Sequence, residues 1–170
     1  MHAPHVGYCV LTPRLRPFHP CAFAPRMPRC PHRPPLPRAA IYQALQKLLE
    51  TEGDTSRVAL IYGNRTETDI LLRKELEALA DKHPDRFRLV LVVGERADDP
   101  GPPGWTGETG WVDEAKVKKF CHAPADDTCV FVCGVPPLYN VMCGPRNEKA
   151  LKEGTVLHNL GYAESSVFKF

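Results

Sequence analysis

The sequence predicts an α/β domain with a Rossmann-like, doubly wound parallel sheet, and three observations carry that expectation. Apolar runs of strand length recur at Arg57–Tyr62, Phe87–Val93 and Cys129–Cys133. Helical apolar spacing occupies the stretches around them, and each run is followed directly by a glycine, Gly63, Gly94 or Gly134. Strands that alternate with helices join in parallel through right-handed crossovers, because a right-twisted strand feeding a right-handed helix packs back onto its sheet only that way.

Each element has a local reason. Ile41, Leu45, Leu48 and Leu49 repeat at helical spacing and predict a helix that ends near Thr51-Glu52-Gly53. After the first strand, Gly63-Asn64 turns the chain, and Thr66-x-x-Asp69 resembles a capping box for a helix carrying Ile70, Leu72, Leu76 and Leu79 inward. The second strand runs into a loop rich in Gly, Pro and Asp, Gly94 to Gly110, which Trp105 and Trp111 are expected to anchor on the core. Val112, Val117 and Phe120 mark a short helix before the third strand. Leu138 to Met142 predicts a further helix that Pro145 must break, since proline lacks the N–H the ladder needs. Asn147 to Lys152 is expected to continue it, and Ser166 to Phe170 alternates as a last strand.

At 170 residues, 43% hydrophobic and 25% charged, the chain suits one domain with its own core. No apolar run approaches the ~18 residues of a membrane span. The net charge of +2 hides a division: residues 1–49 hold seven basic residues and no acidic one, which leaves 15 basic against 20 acidic residues in 50–170. The globular part is therefore mildly acidic, and no nucleic-acid partner is expected. Seven cysteines, an odd number with no secretory signal, predict free thiols in a reducing, cytoplasmic setting. Cys9, Cys21, Cys30 and His32 match no compact finger spacing, so no metal is expected.

Residues 1–38 hold ten of the eighteen prolines, mixed with arginine and histidine. Proline removes backbone donors and clashes with the preceding helical turn, so this segment is expected to be disordered and to stay outside the packed domain, residues 41–170. It lacks acidic residues, as mitochondrial presequences do, but its proline density opposes the amphipathic helix they need.

The chemistry concentrates at Cys133-Gly134-Val135-Pro136-Pro137-Leu138, which runs out of the apolar stretch Thr128–Val132. Prolines suit a first helical turn because they have no N–H to lose there. Ligands of open parallel sheets lie outside the carboxyl ends of the strands, so a thiol at this place faces a cofactor crevice. The competing interpretation is a small buried hydrophobe. Together with Leu60-Ile61-Tyr62-Gly63-Asn64-Arg65-Thr66-Glu67-Thr68-Asp69-Ile70-Leu71-Leu72-Arg73 and the aromatic terminus Val167-Phe168-Lys169-Phe170, this motif resembles the NAD-binding domain of NADH-cytochrome b5 reductases, in the ferredoxin-reductase-like flavoprotein family. The resemblance covers roughly Ile41 to Phe170.

The resemblance implies a hydride transfer from NADH to FAD and single-electron transfer to cytochrome b5 or a similar haem protein. Cys133 would lie beside the nicotinamide and position it. Gly63, Asn64, Gly134, Pro136, Pro137, Leu138 and Phe170 would contact cofactor. The family carries an aspartate after the second strand that favours NADH, where this chain has Gly94; Glu95, one residue along, could serve, so NADPH is not excluded, and Gly94→Asp is expected to strengthen NADH preference. Two family features have no match ahead of Ile41: the Gly-Gly-x-Gly-x-Thr-Pro phosphate turn and the flavin-binding barrel. Residues Pro34 to Ala40 stand where that turn would be, which suggests a truncated or mis-started form of a longer protein, unable to hold FAD alone, inactive by itself and poorly stable unless Val6 to Val10 or another segment replaces the lost central strand. For an intact protein, association with endoplasmic reticulum or mitochondrial membranes is compatible with this resemblance. The alternatives are a non-catalytic nucleotide- or partner-binding module and the NAD domain of a nitrate-reductase-like enzyme.

Overall fold

The computed structural model describes residues 8–14, 37–94, 96 and 98–170. Strand β1 is Tyr8–Arg14, helix α1 Pro37–Glu50, β2 Arg57–Asn64, α2 Arg73–Lys82 and β3 Phe87–Val93. A two-residue strand β4, Glu108–Thr109, is followed by α3 (Glu114–Phe120), β5 (Val130–Cys133), α4 (Pro136–Met142), α5 (Val156–Asn159) and β6 (Val167–Lys169). The six strands form one sheet in the order β4-β3-β2-β1-β5-β6. The pairs β2–β3, β3–β4 and β5–β6 are parallel.

The α/β expectation holds, with one reversal. Strand β1 runs antiparallel to both β2 and β5, with Tyr8 opposite Gly63, Arg14 opposite Arg57, and Cys9 opposite both Tyr62 and Cys133. Part of the proline-rich N-terminal segment is thus in the centre of the sheet, which corrects the expectation that residues 1–38 take no part in the packed domain. The reason is backbone supply: without β1, the facing edges of β2 and β5 would hold unpaired buried N–H and C=O groups. Pro13 does not prevent this, because pairing with β5 extends only over Cys9 to Leu11 and leaves Pro13 beyond it. Residues 15–36, with Cys21, Cys30 and His32 of the four residues weighed for metal binding, lie outside the described residues.

Side chains alternate across the sheet and create two cores. On one face Val58, Leu60, Tyr62, Phe87, Val93 and Cys133 pack against Ile41, Leu45 and Leu49 of α1 and Leu76 and Leu79 of α2. On the other, Ile61, Val90, Val92, Val130 and Val132 pack against Val117 of α3, Leu138, Tyr139 and Met142 of α4, and Leu157 of α5. Arg86 ties the first layer together: its guanidinium donates to the carbonyls of Leu48, Leu49 and Ser56, which satisfies the open C-terminal end of α1.

Four local expectations change. The Thr66–Asp69 pairing forms, with the Asp69 carboxylate accepting from Thr66 N and Oγ1, but it closes a single 3-10 turn at Glu67–Asp69 and α2 starts later, at Arg73. Leu72, at the junction, takes a left-handed φ of 57° and is 37% exposed instead of pointing inward. Residues 147–152 form turns and not a helix, because the Lys169 ammonium collects the carbonyls of Pro145, Glu148 and Ala150 that a helix would direct along its own axis. Trp105 anchors the 94–110 loop through Nε1 to Glu108 O at 2.9 Å, whereas Trp111 is 52% exposed.

Two outcomes test this fold. Val10→Pro removes a donor from a strand flanked on both sides, and is expected to lower unfolding stability by about 1–3 kcal/mol in urea titration; an unchanged midpoint would show that β1 contributes no pairing. The Cys143 thiol, fully buried, is pushed up from 9.0 to about 11 by desolvation, against a smaller lowering from Lys169, and burial likewise raises the Tyr162 phenol. Both groups hold their protons more tightly when folded, so their contribution is full below the unfolded value. For Cys143 it is lost as the pH rises from 9 through about 11. Cys143→Ala should flatten the alkaline decline of stability over that range.

Candidate functional site

The carboxyl ends of β2, β3 and β5 lie along one edge of the sheet, where open α/β sheets place ligands. Strand β1 separates the ends of β2 and β5, so Gly63-Asn64 and Cys133-Gly134 stand two strand spacings apart, about 10 Å. Asn64 is fully buried, and neither its Oδ1 nor its Nδ2 has a hydrogen-bond partner among the described residues. Leaving such an amide unmet costs about 1–3 kcal/mol per group, so a polar ligand atom that reaches it gains what the fold leaves unused. The backbone beside it is fixed, since Gly94 N donates to Asn64 O at 3.1 Å.

Cys133 ends β5 at 2% exposure, its side chain in the layer that holds Leu45, Leu60 and Tyr62. Phe170 packs at the margin of the same layer, its ring 5.6 Å from that of Phe131. Gly134 is half-buried, and Pro136 and Pro137 are exposed at the start of α4. Leu138 is buried in the opposite layer, beneath α4. The resemblance assigns it to the site; the register of α4 turns its side chain into the core.

Tyr139 is a linking residue that the sequence motif does not signal. Its hydroxyl donates to the Phe170 carbonyl oxygen and accepts from Gly134 N at 3.4 Å, so it joins the β5 turn to the C-terminal residue. Desolvation raises its pKa, with the Cys133 thiol adding to that and Gly134 N–H opposing it. The phenol therefore stays a donor at neutral pH.

Glu95 lies outside the described residues. Gly94 is described, at φ 154°, and a Cβ there would meet Gly110 N at 2.8 Å, Gly110 Cα at 2.9 Å and Asp99 Cβ at 3.1 Å. A side chain at position 94 fits this turn only if the Gly110 backbone shifts, so Gly94→Asp carries a steric cost on top of any effect on cofactor preference. Residues 15–36, between β1 and α1, contain no glycine, so they do not supply a glycine cradle for a pyrophosphate. The β5 turn is open at the sheet edge, with Gly134 half-buried and Pro136 and Pro137 exposed, whereas the Asn64 side chain is fully buried. Among the described residues there is no cluster of metal-ligating side chains, and no helix is long and apolar enough to cross a membrane.

A doubly wound sheet with helices on both faces, a buried unmet amide at one strand end and a Cys-Gly-x-Pro-Pro turn at another define a dinucleotide-binding α/β domain. The family described as oxidoreductase NAD-binding domain matches residues 38–144, and the chain belongs to that family. It is 38% identical over 134 residues to NADH-cytochrome b5 reductase 2 of Saccharomyces cerevisiae, and 38% identical over 133 residues to that of Scheffersomyces stipitis, each match covering 76% of this chain. Among solved structures it resembles the cytochrome b5 reductase domain of Ulva prolifera nitrate reductase, with a TM-score of 0.62 and 30% identity over 76% of this chain and 44% of that one. The chain spans 43% of the length of the two yeast relatives.

Gly94→Ala and Gly94→Asp are both expected to destabilise the domain, by about 1–3 kcal/mol for the strained backbone alone. Thermal unfolding measures this; a variant as stable as the parent would show that the 94–110 loop moves aside.

Proposed function

We propose that this chain is the nicotinamide-nucleotide part of a flavin-linked reductase, working with a flavin-binding partner domain to pass electrons to a haem protein of the cytochrome b5 type. The observation that carries this is the pairing, at one sheet edge, of the unmet Asn64 amide with the Cys133-Gly134-Val135-Pro136 turn. When bound, NADH supplies hydride to a flavin, which releases electrons singly. The chain's own task is to bind, orient and exclude water. Asn64 offers both a donor and an acceptor to a carboxamide or ribose. Gly134 permits close backbone approach, and the Tyr139 hydroxyl holds that turn to Phe170. Cys133, being buried, acts as a positioning residue whose volume sets where the turn lies. Discrimination between NADH and NADPH falls to Glu95 and its neighbours, with NADH preferred; a haem acceptor of nitrate-reductase type is the variant of this proposal that the Ulva prolifera relative supports.

One observation favours a second function. Strand β1 fills the central place in reverse, and no glycine lies between it and α1, which suits a folded module that binds a nucleotide weakly and performs no redox chemistry.

The 170-residue chain alone is expected to purify without flavin absorbance and to show negligible NADH–ferricyanide reductase activity. Residues 41–170 fused behind the flavin domain and phosphate turn of the yeast relative are expected to be active. In that fusion Cys133→Ala should slow flavin reduction by NADH about 10- to 1000-fold, the range a displaced reacting geometry costs, with FAD content and melting temperature retained. An inactive but folded fusion would favour the second function. Unchanged flavin reduction in Cys133→Ala would remove Cys133 from the site.

A further inference from the structure

Beside the β5 turn opens a cleft of about 440 Å³, lined by Gly134, Pro136, Tyr139, Asn140, Arg146 and Asn147. Its volume falls within the range of small-ligand pockets. The lining contains one arginine, two carboxamides and no carboxylate side chain. The side chains of Asn140, Arg146 and Asn147 have neither a hydrogen bond nor an ion pair among the described residues.

The wall that carries Arg146 is held in place. Lys169 Nζ donates to the carbonyls of Pro145, itself part of the lining, Glu148 and Ala150 at 3.1, 2.9 and 3.0 Å, so three carbonyls are bonded to β6. Gly144, at φ 87°, makes the turn into this wall, where a Cβ would lie 2.7 Å from Lys152 Cβ. The ammonium of Lys169 is itself a second positive charge behind the wall. The nearest acidic side chain along the loop, Glu148, is outside the lining, and so is the terminal carboxylate of Phe170, one oxygen of which accepts from the Tyr139 hydroxyl.

We propose that this cleft binds a phosphoryl group, with the Arg146 guanidinium as its fork and the Asn140 and Asn147 carboxamides as further donors, and that the phosphoryl group belongs to the nicotinamide half of a nucleotide. A guanidinium offers parallel N–H donors that match two oxygens of a phosphate, and charge-assisted bonds of this kind are about twice as strong as neutral ones. The three-oxygen face of a phosphate uses more donors than a carboxylate can, which fits a site with carboxamides on both sides of the arginine. The cleft adjoins Gly134 and Pro136, and so gives the chain a cation for nucleotide phosphate where residues 15–36 offer no glycine cradle. This assignment rests on the nucleotide-binding function proposed above.

The test uses the full 170-residue chain and three probes: inorganic phosphate, nicotinamide mononucleotide and NAD+, each titrated while the backbone amide signals of Asn64, Gly134 and Asn147 are followed by NMR. Nicotinamide mononucleotide is expected to shift Gly134 and Asn147 and to bind about tenfold or more tightly than inorganic phosphate, a difference of about 1.4 kcal/mol. Arg146→Gln should weaken both by about tenfold, and Arg146→Lys should recover part of the loss, because a point charge replaces the fork. Arg146 is exposed and unpaired, so the variants are expected to melt with the parent, and that melt is the folding control. Equal affinity for the mononucleotide and inorganic phosphate would keep the phosphoryl site and overturn its link to a nucleotide. Shifts at Gly134 and Asn147 that survive Arg146→Gln, or no shift with any probe, would overturn the site. NAD+ shifting Asn64 but not Asn147 would overturn the cleft alone and leave the nucleotide function standing.

Discussion

Continuity of the sheet depends on the backbone of Tyr8–Arg14. Strands β2 and β5 do not pair with each other; each pairs with β1, which stands between them. Buried peptide groups need partners whatever the side chains are, so the slot accepts a strand for its hydrogen-bonding groups more than for its residue types. That tolerance explains how a strand of reversed polarity, containing a proline at its end, completes a sheet whose other strands share one direction. It also sets the geometry of the ligand edge, because the reversed strand begins at that edge, with Tyr8 opposite Gly63, where a strand of ordinary polarity would end.

The two cores on either side follow from strand period, and this decides which motif residues can act on a ligand. In β5, Val130 and Val132 enter the layer beneath α3, α4 and α5, while Cys133 enters the layer beneath α1 and α2. Leu138 returns to the former with α4. Only the residues at the turn between them, Gly134 to Pro137, remain near the surface. The thiol therefore acts through volume and packing, as a small buried group does, and the polar work at the edge falls to Asn64, the Gly134 backbone and the residues across the cleft.

Two loops form walls beside this edge by different means. The 94–110 loop is packed by steric fit: Gly94 has no room for a Cβ, Gly107 has none beneath Trp105, and Arg73 lies over the Trp105 ring at 5.5 Å. The 144–150 loop is held by charge, with one ammonium collecting three carbonyls. Such clamping matters for binding, since ordering a mobile loop would otherwise be charged against affinity.

The α/β class, three strands, the α1 and α2 core positions and the site turn at Cys133-Gly134 can all be read from the residues alone, because apolar periodicity and glycine placement are local signals. So can the family, through motifs short enough to be compared residue by residue. The remainder follows from contacts between distant parts of the chain. Whether a proline-bearing stretch becomes a strand depends on an empty slot formed by residues far along the chain, and no local pattern in Tyr8–Arg14 records that vacancy. Whether Leu138 meets ligand or core depends on the rotation of α4 over the sheet. Whether residues 147–152 form a helix depends on Lys169, a partner about twenty residues away in sequence that competes for their carbonyls. Gly94 shows the same limit most simply: its place at a strand end was legible, and the backbone of Gly110 that forbids a side chain there was not.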